Sequence, residues 1–378
     1  MRICLYTGSA LPKLGGQEAV VDALARHLQR LGHEPTVLAP RPRLPLRPRD
    51  AEVPYPVLRH PRFYSTHHLV GWYRAFLLRA HRHRRFDVIH CHDAYPTGYV
   101  AALCKPTTGV PLVITSHGGD VRAGNARLSK PGLRPRFLRA VAAADALVCI
   151  GRFTREAFLA LGATDRQLID IPNGVDPDPT ADAPRPADLD PAIMPGRYLL
   201  FLGRLAHRKG IDTLLKALSL LPPVGGVELV IAGSGDLRAA IEQDVRERQL
   251  GERVQLVGRV AGAEKAYLLQ NAMGVVMPSR GWEAFPLVVL EAYAAGRPVV
   301  ASAVAGLEDL VTPETGLLVP PDSPTDWAAA MGSVRSEDGW RTGAGTAARA
   351  AAAGYEWDAI ARRHVELYAG LQPKTVDV

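Results

Sequence analysis

One feature recurs through this chain and narrows its possible folds more than any other. It is a short apolar run that ends in glycine or a polar residue and is followed by residues at helical spacing. The pattern opens at residues 2–8 (RICLYTG), after which Val20, Val21, Leu24, Leu28 and Leu31 share a helical face and Gly32 stops the helix. Val37-Leu38-Ala39 then returns as a strand. The runs repeat at 86–93 (FDVIHCHD), 111–120 (PLVITSHGGD), 144–150 (ADALVCI) and 168–176 (LIDIPNGVD). They restart at 198–202 (YLLFL), 227–232 (VELVIA), 254–257 (VQLV) and 274–277 (GVVM), with helical stretches between them. Unbroken apolar runs indicate strands covered on both faces, and their alternation with helices indicates parallel sheets. The expectation is an α/β chain of two facing, Rossmann-like, doubly wound domains. Residues 1–176 form the first domain and 197–354 the second. Residues 177–196, rich in Pro, Asp and Ala, form the linker. Residues 355–378 form a C-terminal helix crossing back to the first domain.

A length of 378 residues is enough for two cores. No run of eighteen apolar residues predicts a membrane span, and the N-terminus starts on a strand-like run without a signal-peptide pattern. Cys4, Cys91, Cys104 and Cys149 are scattered, as expected of reduced thiols in a cytoplasmic protein. The net charge of +7 is uneven: residues 1–190 carry 26 Lys and Arg against 17 Asp and Glu, a balance of +9, leaving −2 for the rest. An acidic partner therefore meets the first half. Residues 40–62 read as a loop. Residues 68–85 read as a helix with Leu69, Trp72, Tyr73, Phe76, Leu77 and Ala80 on one face and many arginines. That helix is either packed with a solvated arginine face or a peripheral contact with an anionic membrane. No nucleic-acid partner is expected.

Candidate chemistry gathers where strands end. Residues 278–300 (PSRGWEAFPLVVLEAYAAGRPVV) hold Glu283 and Glu291 eight positions apart, with a helix closed by Gly296. With Pro286 in the first turn, the N–H groups of Ala284, Phe285, Leu287 and Val288 lack intrahelical partners and make a seat for an anion or polar ligand. Glu291, two turns on, suits a second ligand subsite. The competing reading is an amphipathic helix with one exposed and one salt-bridged glutamate. Arg204 and Lys209 follow the first strand of the second domain, after the turn at Gly203, and suit a diphosphate unless they are solvated surface charges. His117 and Asp120 stand at the end of a buried strand, where ligands gather in open parallel sheets. Gly15 and Gly16 lie at the first strand-to-helix connection. The sequence there is not G-x-G-x-x-G, and no acidic residue closes the next strand, so a dinucleotide is not expected. Either these glycines allow a close ligand approach or they form a turn with positive φ. His90 and His92 flank Cys91 on the opposite strand face, with no second ligand cluster near, so no metal site is expected.

Taken together these segments resemble the retaining glycosyltransferases of sequence family 4, which have the GT-B fold. The resemblance rests on GGQE, FDVIHCHD, ITSHGGDV, IPNGVD, FLGRLAHRKG, LVIAGSGD, VQLVGRV, the Glu283–Glu291 stretch, GLEDLV and TGLLVP, in family order over nearly the whole chain. It implies a metal-independent transferase with no cofactor, using a nucleotide-sugar as substrate. Arg204 and Lys209 would neutralise the leaving diphosphate. Glu283 and the N–H groups around Ala284, Phe285, Pro286 and Leu287 would hold donor-sugar hydroxyls, and Glu291 the ribose. His117, with Asp120 beside it, would meet the donor sugar, Gly16 would leave room for the phosphate, and backbone at Gly258, Arg259 and Val260 would read the base. His207-Arg208 stand where the family often has an acid, which adds positive charge. Residues 40–85 match nothing in particular and suit an acceptor surface. A GT-B nucleotide-sugar epimerase or hydrolase, and a non-catalytic nucleotide-sugar-binding protein, are the alternatives.

Overall fold

The computed structural model describes residues 1–13, 15–42, 50–62, 69–177 and 183–372. It divides into two compact units, Met1–Gly174 with Trp357–Val378, and Val175–Glu356.

The first unit runs β1 (Arg2–Tyr6), α1 (Gly16–Arg30), β2 (Glu34–Pro40), β3 (Val57–His60), α2 (Val70–Arg84), β4 (Val88–Cys91), α3 (Tyr99–Thr108), β5 (Leu112–Thr115), α4 (Arg134–Ala143), β6 (Ala146–Cys149), α5 (Arg152–Ala160) and β7 (Leu168–Asp170). Its sheet has the order β3-β2-β1-β4-β5-β6-β7, and every ladder is parallel. The connections reverse between β1 and β4, and a crevice opens there beyond the strands' carboxyl ends. The stretch read as loop, 40–62, contains β3, whose lone apolar pair was too short to show periodicity. In α2 the buried face is Tyr73, Leu77 and Ala80, whereas Trp72 is 67% exposed. A helix turns about 100° per residue, so Trp72 leaves the face that Tyr73 joins. Apolar spacing alone leaves α3 and α4 unassigned because small residues and prolines dilute it.

The second unit runs β8 (Leu199–Leu202), α6 (Ile211–Leu220), β9 (Leu229–Ala232), α7 (Arg238–Glu247), β10 (Val254–Gly258), α8 (Gly262–Asn271), β11 (Gly274–Met277), α9 (Leu287–Ala294), β12 (Val299–Ser302), β13 (Gly316–Val319), α10 (Pro324–Ser336) and α11 (Asp338–Ala352). Its parallel sheet has the order β10-β9-β8-β11-β12-β13, with the reversal between β8 and β11. Ala183, Leu189 and Ile193, from the stretch read as linker, are buried in its core.

The chain closes with α12 (Trp357–Gly370), which belongs to the first unit. It buries Trp357, Ile360, Ala361, His364 and Tyr368. Trp357 stacks on His27 of α1 with ring centroids 6.1 Å apart, and His27 Nδ1 lies 2.6 Å from an Asp358 carboxylate oxygen. Among the described residues no helix is long and apolar enough to cross a membrane.

Candidate functional site

In the second unit, β8 and β11 flank the reversal, and the loops that leave their carboxyl ends carry the charged residues. The loop after β8 holds Arg204, Arg208 and Lys209; the one after β11 holds Ser279 and Glu283. Three donors converge on a single oxygen, Oε1 of Glu283. Lys209 Nζ stands at 2.6 Å, Ser279 Oγ at 2.7 Å and Arg208 Nη1 at 3.1 Å. The other oxygen, Oε2, has no protein partner among the described residues and can accept from a ligand hydroxyl. Burial works to raise the Glu283 carboxyl, but Lys209 and Arg208 outweigh it and hold it below the ordinary carboxylate range. Burial pushes the Lys209 ammonium down against the pull of Glu283, and the charges of Arg208 and Arg204 add to that push. Two cations on one carboxylate, with the Arg204 charge acting on Lys209, leave a surplus of positive charge, which suits a polyanion.

Two glycines allow this geometry. Gly306 has φ +85, and a Cβ there would overlap the Glu283 carbonyl oxygen. Gly210 has φ +62, and a Cβ there would overlap the Pro278 carbonyl oxygen. The amide of Glu283 donates to Ala305 O at 2.9 Å, which ties the carboxylate to the segment after β12. The helix starts later than its sequence suggests. Pro286 is the N-cap, extended at φ −77 and ψ 109, and Phe285 lies outside the helix, as a residue preceding proline avoids helical backbone. The N–H groups of Ala284, Phe285, Leu287 and Val288 have no hydrogen-bond partner among the described residues.

Glu291 lies apart from this cluster, with Lys265 Nζ 2.8 Å from its Oε1. Both glutamates are thus ion-paired, rather than one exposed and one bridged. Gly203 closes β8 through its amide to Ala232 O, and Gly258 has φ +79 at the end of β10, with Arg259 and Val260 following.

The first unit presents its own cluster at the β1/β4 reversal. His117 Nε2 lies 3.2 Å from His92 Nδ1, and burial pushes His117 down to about 4 despite the nearby Glu18 carboxylate. Asp120 receives the Ser116 hydroxyl at 2.5 Å and the Ala94 amide at 2.6 Å, so both oxygens hold loops together. Asp93 likewise accepts from the Gly8 and Thr97 amides, and burial with the Asp120 charge raises it to about 7. Gly16 is the first residue of α1, and nothing lies within 4 Å of where its Cβ would stand. Gly15 is extended at φ −170, so the reading of this pair as a positive-φ turn does not hold. Sequence reasoning missed Ser279, Arg208 as a Glu283 partner, Lys265, Gly306 and His92 as a His117 partner. Of these, Arg208 stood out as a departure in charge and His92 only as a metal ligand that was set aside.

Two family models match the chain: "Glycosyltransferase Family 4" over residues 14–179 and "Glycosyl transferases group 1" over 196–336. The D-inositol 3-phosphate glycosyltransferase of Xylanimonas cellulosilytica is 36% identical over 324 residues, spanning 79% of this chain and 76% of that protein. The phosphatidyl-myo-inositol mannosyltransferase of Mycolicibacterium smegmatis is 30% identical, spanning 97% and 93%. The chain belongs to glycosyltransferase family 4. As a family 4 glycosyltransferase it has the GT-B fold, shared with HepE of Anabaena solved with UDP, at TM-score 0.81 and 20% identity over 98% of this chain and all of that one. Sucrose-phosphate synthase of Thermosynechococcus elongatus aligns at TM-score 0.77 and 24% identity over 98% and 99%.

Proposed function

We propose that this family 4 glycosyltransferase is a metal-independent, retaining enzyme that moves a sugar from a nucleotide-sugar to a hydroxyl acceptor. The observation that carries the reading is Glu283. It is held by Lys209, Arg208 and Ser279 through one oxygen while the other stays open, beside a surplus of cations and four unpartnered N–H groups. In this reading Oε2 accepts from a donor-sugar hydroxyl, and Arg204 and Lys209 face the diphosphate. Glu291 takes the ribose, backbone at Gly258 to Val260 takes the base, and His117 of the first unit contacts the sugar. The anomeric C–O bond to phosphate breaks and its electron pair leaves with the nucleoside diphosphate. The acceptor oxygen bonds to the same face of the anomeric carbon and passes its proton to the departing phosphate oxygen. Fixed cations and N–H donors stabilise the charge that develops on that oxygen.

Two relatives take, by name, inositol 3-phosphate or phosphatidyl-myo-inositol. With the +9 balance of residues 1–190, that favours a phosphate-bearing acceptor presented at an anionic membrane on its cytoplasmic side. The test of the donor is a thermal-shift panel of UDP-, GDP- and ADP-sugars on the wild type and Lys209→Ala. One nucleotide-sugar stabilises the wild type and fails to stabilise the variant. No shift with any of them sinks the reading.

A further inference from the structure

His92 lies at the end of β4, 1% exposed, with its backbone fixed on both sides. Its amide donates to Tyr6 O at 2.8 Å and its carbonyl accepts from Gln17 Nε2 at 3.1 Å. Its ring is nearly parallel to that of His117, at 10°, and the contact between them is the Nδ1···Nε2 pair at 3.2 Å. The other nitrogen, Nε2, is buried and has no partner among the described residues. His90 is the nearest ring, with centroids 4.5 Å apart, and it cannot supply one. Its Nδ1 is taken by the Tyr368 hydroxyl at 2.6 Å and its Nε2 by the Thr115 hydroxyl at 2.7 Å. His92 also lines a cavity of about 10 Å³ with Thr115, Asn173, Trp357 and His364, which is at the lower limit for a water and walled mostly by apolar atoms.

Burial keeps both rings neutral, so each carries one N–H and one lone pair. Two arrangements of the shared hydrogen bond are open. If His117 donates, the hydrogen of His92 sits on Nε2, a buried N–H with no protein acceptor. If His92 donates from Nδ1, what remains on Nε2 is a lone pair. Orphaned buried N–H groups are rarer than under-satisfied acceptors, so the second arrangement is favoured. His117 then accepts at Nε2 and carries its own hydrogen on Nδ1, for which the protein supplies no partner among the described residues.

We propose that His92 is a positioning residue that locks His117 in its Nδ1–H form, so that the nitrogen His117 offers to a ligand is a hydrogen-bond donor. The catalytic consequence rests on the reading above, in which His117 meets the donor sugar; the tautomer does not. A donor on Nδ1 can hydrogen-bond to a donor-sugar oxygen as acceptor, whereas the opposite tautomer could only accept from a hydroxyl.

The test is a two-bond ¹H–¹⁵N correlation spectrum of the full chain with labelled histidine, the His117 signals being assigned by their loss in His117→Gln. The expected wild-type pattern has the proton on Nδ1. In His92→Phe, which keeps a ring but no donor, His117 reverts to the Nε2–H form that free imidazole prefers. In His92→Asn, whose amide stands near the place of Nδ1, the wild-type pattern returns. His92→Gln, which reaches toward the Nε2 position instead, behaves as Phe does and serves if the Phe variant does not fold. With the donor found by thermal shift, kcat falls roughly tenfold in His92→Phe, the weight of one hydrogen bond, with KM for the donor nearly unchanged and recovery in His92→Asn. An Nε2–H signal in the wild type, or an Nδ1–H signal that persists in His92→Phe, overturns the proposal. So does an unchanged kcat in His92→Phe. If no nucleotide-sugar binds at all, the transferase reading fails while the spectrum still decides the tautomer.

Discussion

At the scale of the residue, burial decides protonation in the first unit, and its sign can be worked through. His117 and His364 are pushed down to about 4, and His90 and His92 well below their ordinary value. Between about pH 4 and the ordinary histidine value of 6.5, these rings are neutral in the fold and charged in the unfolded chain. The unfolded state then binds more protons, so their contribution to stability is lost as pH falls from about 6.5 towards 4. Asp93 works the other way: raised to about 7, it is protonated in the fold first and favours folding as pH drops below 7. A difference between variants separates the two. In His364→Gln the loss of stability between about pH 7.5 and about pH 5.5 shrinks by about 1 kcal/mol relative to the wild type. Thermal melts at the two pH values measure it, and an unchanged difference would show that His364 is protonated in the fold. The site residues were legible as residue types near strand ends. That Lys209, Arg208 and Ser279 share one oxygen of Glu283 was not, because Lys209 and Glu283 are 74 positions apart and no local pattern joins them.

Among the elements, α2 and α9 bear on the proposed function in different ways. The start of α9 was misplaced in sequence because proline is tolerated in a first turn, yet the residue it follows is driven out of helical backbone. Because the helix begins only at Leu287, the N–H groups of Ala284 and Phe285 stay outside it and open. In α2 the exposed Trp72 shares one side of the helix with the exposed Arg79 and Arg82, away from buried Tyr73, Leu77 and Ala80. An aromatic with arginines on one side suits an anionic lipid surface. Co-sedimentation with phosphatidylglycerol vesicles is expected, fading with salt, and absent with phosphatidylcholine. Arg79→Ala combined with Arg82→Ala costs about 2 kcal/mol, roughly a thirtyfold loss of binding. Equal pelleting with both lipids would remove the membrane from the proposal.

For the whole molecule, the chain leaves its first unit at Gly174 and returns to it at Trp357. Trp357 is 4% exposed, stacked on His27 and packed against Gly174, where an added Cβ would press on its ring. Trp357→Ala removes a buried aromatic at a cost of about 3–5 kcal/mol. The loss falls on the first unit, so hydrogen exchange quickens in α1, α12 and β1 while β8 to β13 keep their protection. Exchange that quickens equally in both units would mean that α12 does not stabilise the first unit separately.

Two parallel α/β units, their strands apart from β3, β12 and β13, and the strand-end loops where charged residues collect were legible in the sequence. Those features are written in apolar runs and turn residues within about ten positions of one another. Only the tertiary structure decided which residues meet. Strand order brings the loops after β8 and β11 together around Glu283, and those after β4 and β5 together at the His92–His117 pair. It also decided that Gly306 must lack a side chain for Glu283 to be held where it is. The reason is physical: spacing along the chain fixes the period of an element, whereas a contact between loops depends on which strands are neighbours, and the crossovers that set this leave no local mark.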